Sequence, residues 1–465
     1  MWRAFNPATR YFTLKAHETD TEEGRNVERY RLAAWNALAN LVSAAVSLAS
    51  LFLVIKFALP NLGPERFGIW MTISSLTVML SFLDFGVGNG LVNQIAKASA
   101  QAHPDQRLKE ITFRGLGLLA VIGCLTWILL SGIATFVQIN KLIKVDSELL
   151  AAESRSAINI FIFIFSIGIP ISGIQKILYG LQKSWAIHLV RVCCSLISIL
   201  LVMHATQSRT SIPNLLILTY GIQTVAPLLL IWMLKTGSSA SLTSTIKSQY
   251  KFYSDIKLMA SSGLIYFILQ FTAVFAWGSD AFVISSQLDA TAVGGFVIAQ
   301  RLFQLISLPL SIANSSAWPA YAHALSKNDL KFIQSTLKRS LATTLLIATG
   351  ISIFVFVVSG PVLNLWIQNR VEVSTTLLAC FMVWSIIEAT GNCVAMYLNG
   401  TNIIKPQIYI SIAFCIVAFT LKILLIPWLG VSGILIATIV AYLTCVVPPY
   451  YWLILAEFKS QPYSH

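Results

Sequence analysis

Residues 294–324 read GGFVIAQRLFQLISLPLSIANSSAWPAYAHA. Within this stretch Gln300, Gln304, Ser307, Ser311 and Asn314 are spaced by four, three, four and three. On an α-helix that spacing lines them along one face, with Arg301 beside it. A run this long and apolar reads as a membrane span. An arginine there costs roughly 2.5–3.5 kcal/mol on insertion scales, so it should face protein or a watery cavity rather than lipid. The stretch predicts a polytopic membrane protein with a polar, partly cationic interior path, suited to something anionic.

The composition agrees. The chain is 56% hydrophobic and 11% charged, against about 25% charged residues in soluble domains. The opening residues mix both signs of charge and lack the apolar core of a signal peptide, so the first apolar segment is expected to stay as an anchor. All seven cysteines fall in apolar segments and none forms a C-x-x-C pair. They read as free thiols acting as small hydrophobes, with no metal or redox site. The net charge of +13 is dispersed over short loops, so it reports topology rather than a nucleic-acid partner.

Outward from residues 294–324, about twelve segments are long enough to span, taking ~20 residues per helix. Their limits are near 33–58, 67–92, 113–137, 157–175, 185–203, 212–234, 258–279, 293–324, 341–366, 374–398, 407–427 and 431–456. With the N-terminus placed in the cytoplasm, lysine and arginine are about three times as frequent on cytoplasmic loops as on outer ones. Both termini are therefore expected to be cytoplasmic. The expected organisation is an N-terminal segment 1–32, a six-helix bundle 33–234, a linker 235–257, a second six-helix bundle 258–456 and a tail 457–465. The halves resemble each other faintly. In one register Gly68 falls on Gly294, Ser81 on Ser307 and Ala98 on Ala324; in another Leu178 falls on Leu398 and Gly180 on Gly400. Six spans repeated in the same orientation is the parallel repeat of one transporter class.

The polar spacing of span 8 recurs. Span 1 carries Asn36, Asn40, Ser43, Ser47 and Ser50; span 2 carries Ser74, Thr77, Ser81 and Asp84; span 7 carries Tyr266, Gln270, Trp277 and Asp280. These are the first and second helices of each half, and they are expected to line one cavity. The competing reading is that such side chains bond neighbouring helices to each other. In span 5, Arg191 sits near His188, and both a cavity position and snorkelling stay open for it; Lys422 in span 11 is expected to snorkel outward. Glu388 in span 10 is flanked at helical spacing by Ser385 and Asn392. A carboxylate held in hydrocarbon is a candidate carrier of a proton or cation, and Asp84 and Asp280 share that role or form a static salt bridge with an arginine. Gly86, Gly88 and Gly90 follow no strand, so they read as a helix bend rather than a phosphate loop. No G-x-x-x-x-G-K-[ST] loop occurs, so the chain does not drive itself with ATP.

Phe67-Gly68-Ile69-Trp70, followed by Leu83-Asp84-Phe85-Gly86-Val87-Gly88-Asn89-Gly90-Leu91-Val92-Asn93, resembles span 2 of the Wzx-type polysaccharide flippases. These belong to the multidrug/oligosaccharidyl-lipid/polysaccharide (MOP) exporter superfamily. The turns Leu178-Tyr179-Gly180-Leu181-Gln182-Lys183 and Leu398-Asn399-Gly400-Thr401 are similar to that family's helix 4–5 and 10–11 turns. The resemblance implies an all-α, polytopic, MATE-like protein of two six-helix bundles around a central cavity. It implies a flippase that moves an undecaprenyl-pyrophosphate-linked oligosaccharide to the outer leaflet of the bacterial inner membrane by alternating access, for O-antigen, capsule or exopolysaccharide synthesis. It also implies possible coupling to an H+ or Na+ gradient, no other cofactor, and work alongside a polysaccharide polymerase and a chain-length regulator.

On the residues, Arg301 with Arg191 is expected to pair with the pyrophosphate. Asn36, Asn40, Gln270, Gln304 and Asn314 would bond sugar hydroxyls, and Tyr266 and Trp277 would stack on sugar rings. Two rivals stand beside this. A MATE-like exporter of cationic drugs fits poorly with an arginine. A non-transporting scaffold of a polysaccharide assembly complex gives no reason for a charge in the bilayer.

Overall fold

The computed structural model describes residues 22–99, 104–136, 147–207, 210–234, 267, 270–272, 274–315, 317–326, 329–368 and 370–460. These are helical almost throughout, with no strand among them. Ten helices among them are long and apolar enough to cross a membrane. The first of the ten, Leu38–Asp84, holds two of the expected spans, and most of expected span 7 lies outside the described residues.

The first helix, α1, runs Glu22–Met79 without the loop expected after span 1. Two helices meet there at Gly63, whose φ of 73° and ψ of 170° are not helical. Only glycine adopts that backbone cheaply, and Pro64 starts the second helix at the position where its missing N–H costs nothing. Span 2 is then broken as its glycines predict. A 3₁₀ turn at Ser81–Asp84 leads to Phe85 and Gly86, both at positive φ, before α2 resumes at Val87–Ser99.

Then follow α3 (Pro104–Phe136), α4 (Glu148–Gly180), α5 (Ser184–Thr206) and α6 (Ile212–Leu234), the last interrupted by a π turn at Ile217–Gly221. Beyond residue 267 the order is a π turn at Val274–Gly278, α7 (Asp280–Gln287), α8 (Ala290–Ser315), α9 (Ala317–Ser326) and α10 (Leu330–Ile367). The chain ends with α11 (Thr375–Gly400), α12 (Ile404–Leu429), α13 (Ser432–Cys445) and α14 (Val447–Ser460).

Contacts divide the chain into two compact units. One gathers Met1–Ala58, Phe82–Val137 and Arg155–Phe267; the other gathers Leu59–Ser81, Gln138–Ser154 and Ile268–His465. In the first unit Val87, Leu91 and Ile95 of α2 pack on Leu119 of α3 and Ile177 of α4. In the second, α8 and α10 both pack along α11, and α12 packs along α13.

The faint repeat seen in sequence has a geometric counterpart inside each unit. A Cβ placed on Gly180 would lie 2.9 Å from the carbonyl oxygen of Val92 and against the side chain of Ile95. A Cβ placed on Gly400 would lie 2.9 Å from the carbonyl oxygen of Trp318 and against the side chain of Tyr321. In the registers given above, Val92 falls on Trp318 and Ile95 on Tyr321. The turns that follow also match. Gln182 and Asn402 both take positive φ, and Lys183 N donates to Leu178 O as Ile403 N donates to Leu398 O. These are equivalent helix C-terminal caps.

Candidate functional site

In the first unit the polar stripe of α1 is divided between two tasks. Asn36 Nδ2 donates to Gln182 O at 2.9 Å, and its Oδ1 accepts from Trp185 N at 2.8 Å. Both faces of this amide are used to fasten the α4–α5 turn, so the expected sugar contact at Asn36 gives way to a structural role. Ser50 likewise donates to Ser195 O at 3.3 Å, and Ser195 Oγ accepts from Gln223 Nε2 at 3.0 Å. These bonds follow the helix-bonding reading. Asn40 remains exposed on the same helix, and Arg191 is half-buried on α5.

The break in span 2 gathers a polar cluster. Gly86 N donates to Asp84 Oδ1 at 2.9 Å, which closes the bend. A Cβ on Gly88 would meet Asp84 Oδ2 at 2.9 Å and Lys176 Cε at 3.1 Å, so these two side chains converge over the glycine. Lys176 Nζ also donates to Asn89 Oδ1 at 2.8 Å. Lys176 lies inside α4, and it is a candidate site residue absent from those expected above. The sequence carries no signal for it, because the apolar segment 157–175 ends just before Lys176.

In the second unit Arg301 is half-buried near the middle of α8, and its Nη1 donates to Gln304 Oε1 at 2.7 Å. Three residues past Gln304, the Ser307 hydroxyl lies beside the Glu388 carboxylate of α11. Arg301, Gln304, Ser307 and Glu388 thus form one polar track across two packed helices. One turn past Glu388, Asn392 Oδ1 is buried without a hydrogen-bond partner among the described residues, and so is Gln270 Oε1. Such acceptors are costly unless a ligand or water bonds them.

Other expected residues part from this track. Asn314 is buried, donating to Ala389 O at 3.3 Å and accepting from the Thr344 hydroxyl at 3.1 Å. It fastens α8 to α10 and α11 rather than facing a cavity. Trp277 is 43% exposed, with its ring centroid 5.4 Å from that of Phe414. Tyr266 lies outside the described residues. Asp280 does form a salt bridge, but with a lysine: Lys422 Nζ stands 2.5 Å from Asp280 Oδ1 and also donates to Ala276 O. Lys422 is therefore wholly buried and does not snorkel. Its partner comes from a distant span, and the Ala276 carbonyl that it also bonds lies in the π turn at Val274–Gly278.

Comparison with known proteins fits this arrangement. Residues 264–424 match the family described as MatE. A relative from Salmonella typhimurium named "Putative O-antigen transporter" is 22% identical over 409 residues, covering 87% of this chain and 91% of that protein. Among solved structures, an inward-facing multidrug resistance MATE family transporter of the MOP superfamily matches with a TM-score of 0.75 at 14% identity, covering 91% of this chain and 99% of that one. The lipid II flippase MurJ, in an inward closed conformation, matches with a TM-score of 0.63 at 14% identity, covering 90% of this chain and 87% of that one. These likenesses show a multi-pass membrane protein with the MATE fold. Residues 30–325, well over half the chain, match the family described as polysaccharide biosynthesis protein, and the chain belongs to that family.

Proposed function

We propose that the protein is a flippase that carries an undecaprenyl-pyrophosphate-linked oligosaccharide from the cytoplasmic to the outer leaflet of the bacterial inner membrane. A pyrophosphate and a hydrated sugar cannot cross hydrocarbon unaided, because each unpaired polar group costs several kcal/mol. The protein must supply a polar lining in their place. The observation that carries the reading is the track on α8 and α11, with Arg301 held by Gln304 in the middle of an apolar helix. A guanidinium in that setting suits an anion and repels a cation. Gln304, Gln270 and Asn392 offer bonds to sugar hydroxyls, and Glu388 is the candidate carrier of a coupling H+ or Na+. The O-antigen transporter name of the Salmonella relative supports the same class of cargo. Alternating access is the mode of movement, both termini lie in the cytoplasm, and a polymerase and a chain-length regulator act on the product.

A second reading, export of drugs or metabolites, is favoured by the MatE match over 264–424. The arginine on α8 weighs against it for cationic drugs. The two separate in proteoliposomes that hold either a fluorescent lipid-linked oligosaccharide or a cationic dye. The flippase reading expects outward movement of the lipid-linked sugar, lost in Arg301→Ala while the variant still inserts and unfolds at the same temperature. Movement of the dye with no movement of the sugar overturns it.

A further inference from the structure

Within the first unit, between α1 and α5, lies a cavity of about 560 Å³ that the transport track does not use. Its α1 wall is Arg31, Trp35, Leu38 and Val42, which share one helix face, with Ala39 beside them. Its α5 wall includes Trp185, His188 and Leu189. The Asn36–Trp185 bond sets the two helices level, so both tryptophans lie at one depth. Tryptophan favours the membrane–water interface. From that level the cavity runs from Arg31 at its polar end into hydrocarbon between Leu38, Val42 and Leu189, all of them exposed at its open side.

One group in this wall is unsatisfied. His188 is only 5% exposed, and its Nδ1 is buried with no hydrogen-bond partner among the described residues. Its ring is held edge-on against Tyr179 at 6.2 Å, so it cannot turn away without losing that contact. A hydrocarbon chain alone leaves this nitrogen as it is.

We propose that the cavity binds a polyprenyl diphosphate, with the first isoprene units between Leu38, Val42 and Leu189 and the diphosphate between Arg31 and His188. The identity of the lipid rests on the flippase reading above. The volume lies in the range of small-ligand pockets, so it takes the head-proximal part of one chain rather than a whole long lipid. A polyprenyl diphosphate has a single chain joined directly to its phosphates, so the anion can follow the chain down to His188. A phospholipid places glycerol and two ester-linked chains between, and its phosphate stays at the interface.

The test uses the full-length protein in nanodiscs with a benzophenone-bearing polyprenyl diphosphate that carries no sugar. Photo-crosslinks are mapped by mass spectrometry and competed with unlabelled polyprenyl diphosphate or with an equal mole fraction of anionic phospholipid. Crosslinks on residues 31–42 and 185–192 should fall at least tenfold with the first competitor and little with the second. Ala39→Trp, which fills the cavity, and Leu189→Trp, at an exposed position that tolerates bulk, should each remove them. Equal competition by phospholipid makes the cavity a bulk-lipid contact and overturns the proposal, as do crosslinks elsewhere or crosslinks unchanged in both variants. Because the readout is binding, it stands apart from translocation. A protein that binds here and flips nothing keeps this site and loses the flippase reading; one that flips but gives no crosslinks on residues 31–42 and 185–192 keeps the flippase and loses the site.

Discussion

Lys422 Nζ lies 2.5 Å from Asp280 Oδ1, and no part of the lysine side chain reaches solvent. The pair joins α12 to the start of α7. Removing one partner of a buried ion pair costs about 3–5 kcal/mol, because the other charge is left uncompensated. Lys422→Met alone should therefore lower stability by that amount in detergent unfolding. Lys422→Met combined with Asp280→Leu should recover most of the loss. A double variant as unstable as the single one would mean that packing, not charge, is what the site provides.

Glycine 180 and glycine 400 should behave alike. A methyl group at either meets a carbonyl oxygen at 2.9 Å, and forcing bulk into such a contact costs about 1–3 kcal/mol. Gly350 in α10 has nothing within 4 Å of its Cβ position. Gly350→Ala should instead stabilise by roughly 0.5–1 kcal/mol, the usual gain in a helix interior. Thermal unfolding of the three alanine variants checks the contrast.

Asn36 and Asn40 stand one turn apart and should separate in their effects. Asn36→Ala breaks two bonds to the α4–α5 turn, so stability should fall by about 1–3 kcal/mol. Asn40→Ala removes an exposed amide, so stability should hold while the transport rate falls several-fold. Paired unfolding and transport measurements read this directly. A transport defect at Asn40 no larger than that of a lipid-facing control such as Leu346→Ala would remove Asn40 from the path.

Glu388→Gln keeps the shape of the side chain but cannot carry a charge. In vesicles with an imposed ion gradient, the gradient-stimulated part of transport should vanish and the ungraded part should persist. Stimulation equal to that of the unaltered protein would free Glu388 of any coupling role.

The membrane spans and the polar face of α8 are legible in the sequence because hydropathy and helical spacing are local properties. The bend after span 2 is legible for the same reason, since Gly86 must be glycine-like where φ is positive. Lys422 and Lys176 are not legible, because each owes its position to a carboxylate in a distant span. Asn36 and Asn314 share their residue type with sugar-binding amides, and only the backbone groups opposite them show that they fasten helices. Spacing tells which face a side chain is on; it does not tell what that face meets.

The matched turns at Gly180 and Gly400 carry one more consequence. The backbone is repeated, but the chemistry mounted on it is not. Arg301 falls on Ser75 in the first half, and Glu388 falls on Gly168. A doubled frame with both copies furnished would offer two equivalent seats. Asp84 and Lys176 fall in turn on Leu310 and Met396, so each copy carries charges the other lacks, and exchanging the two halves would preserve neither polar cluster.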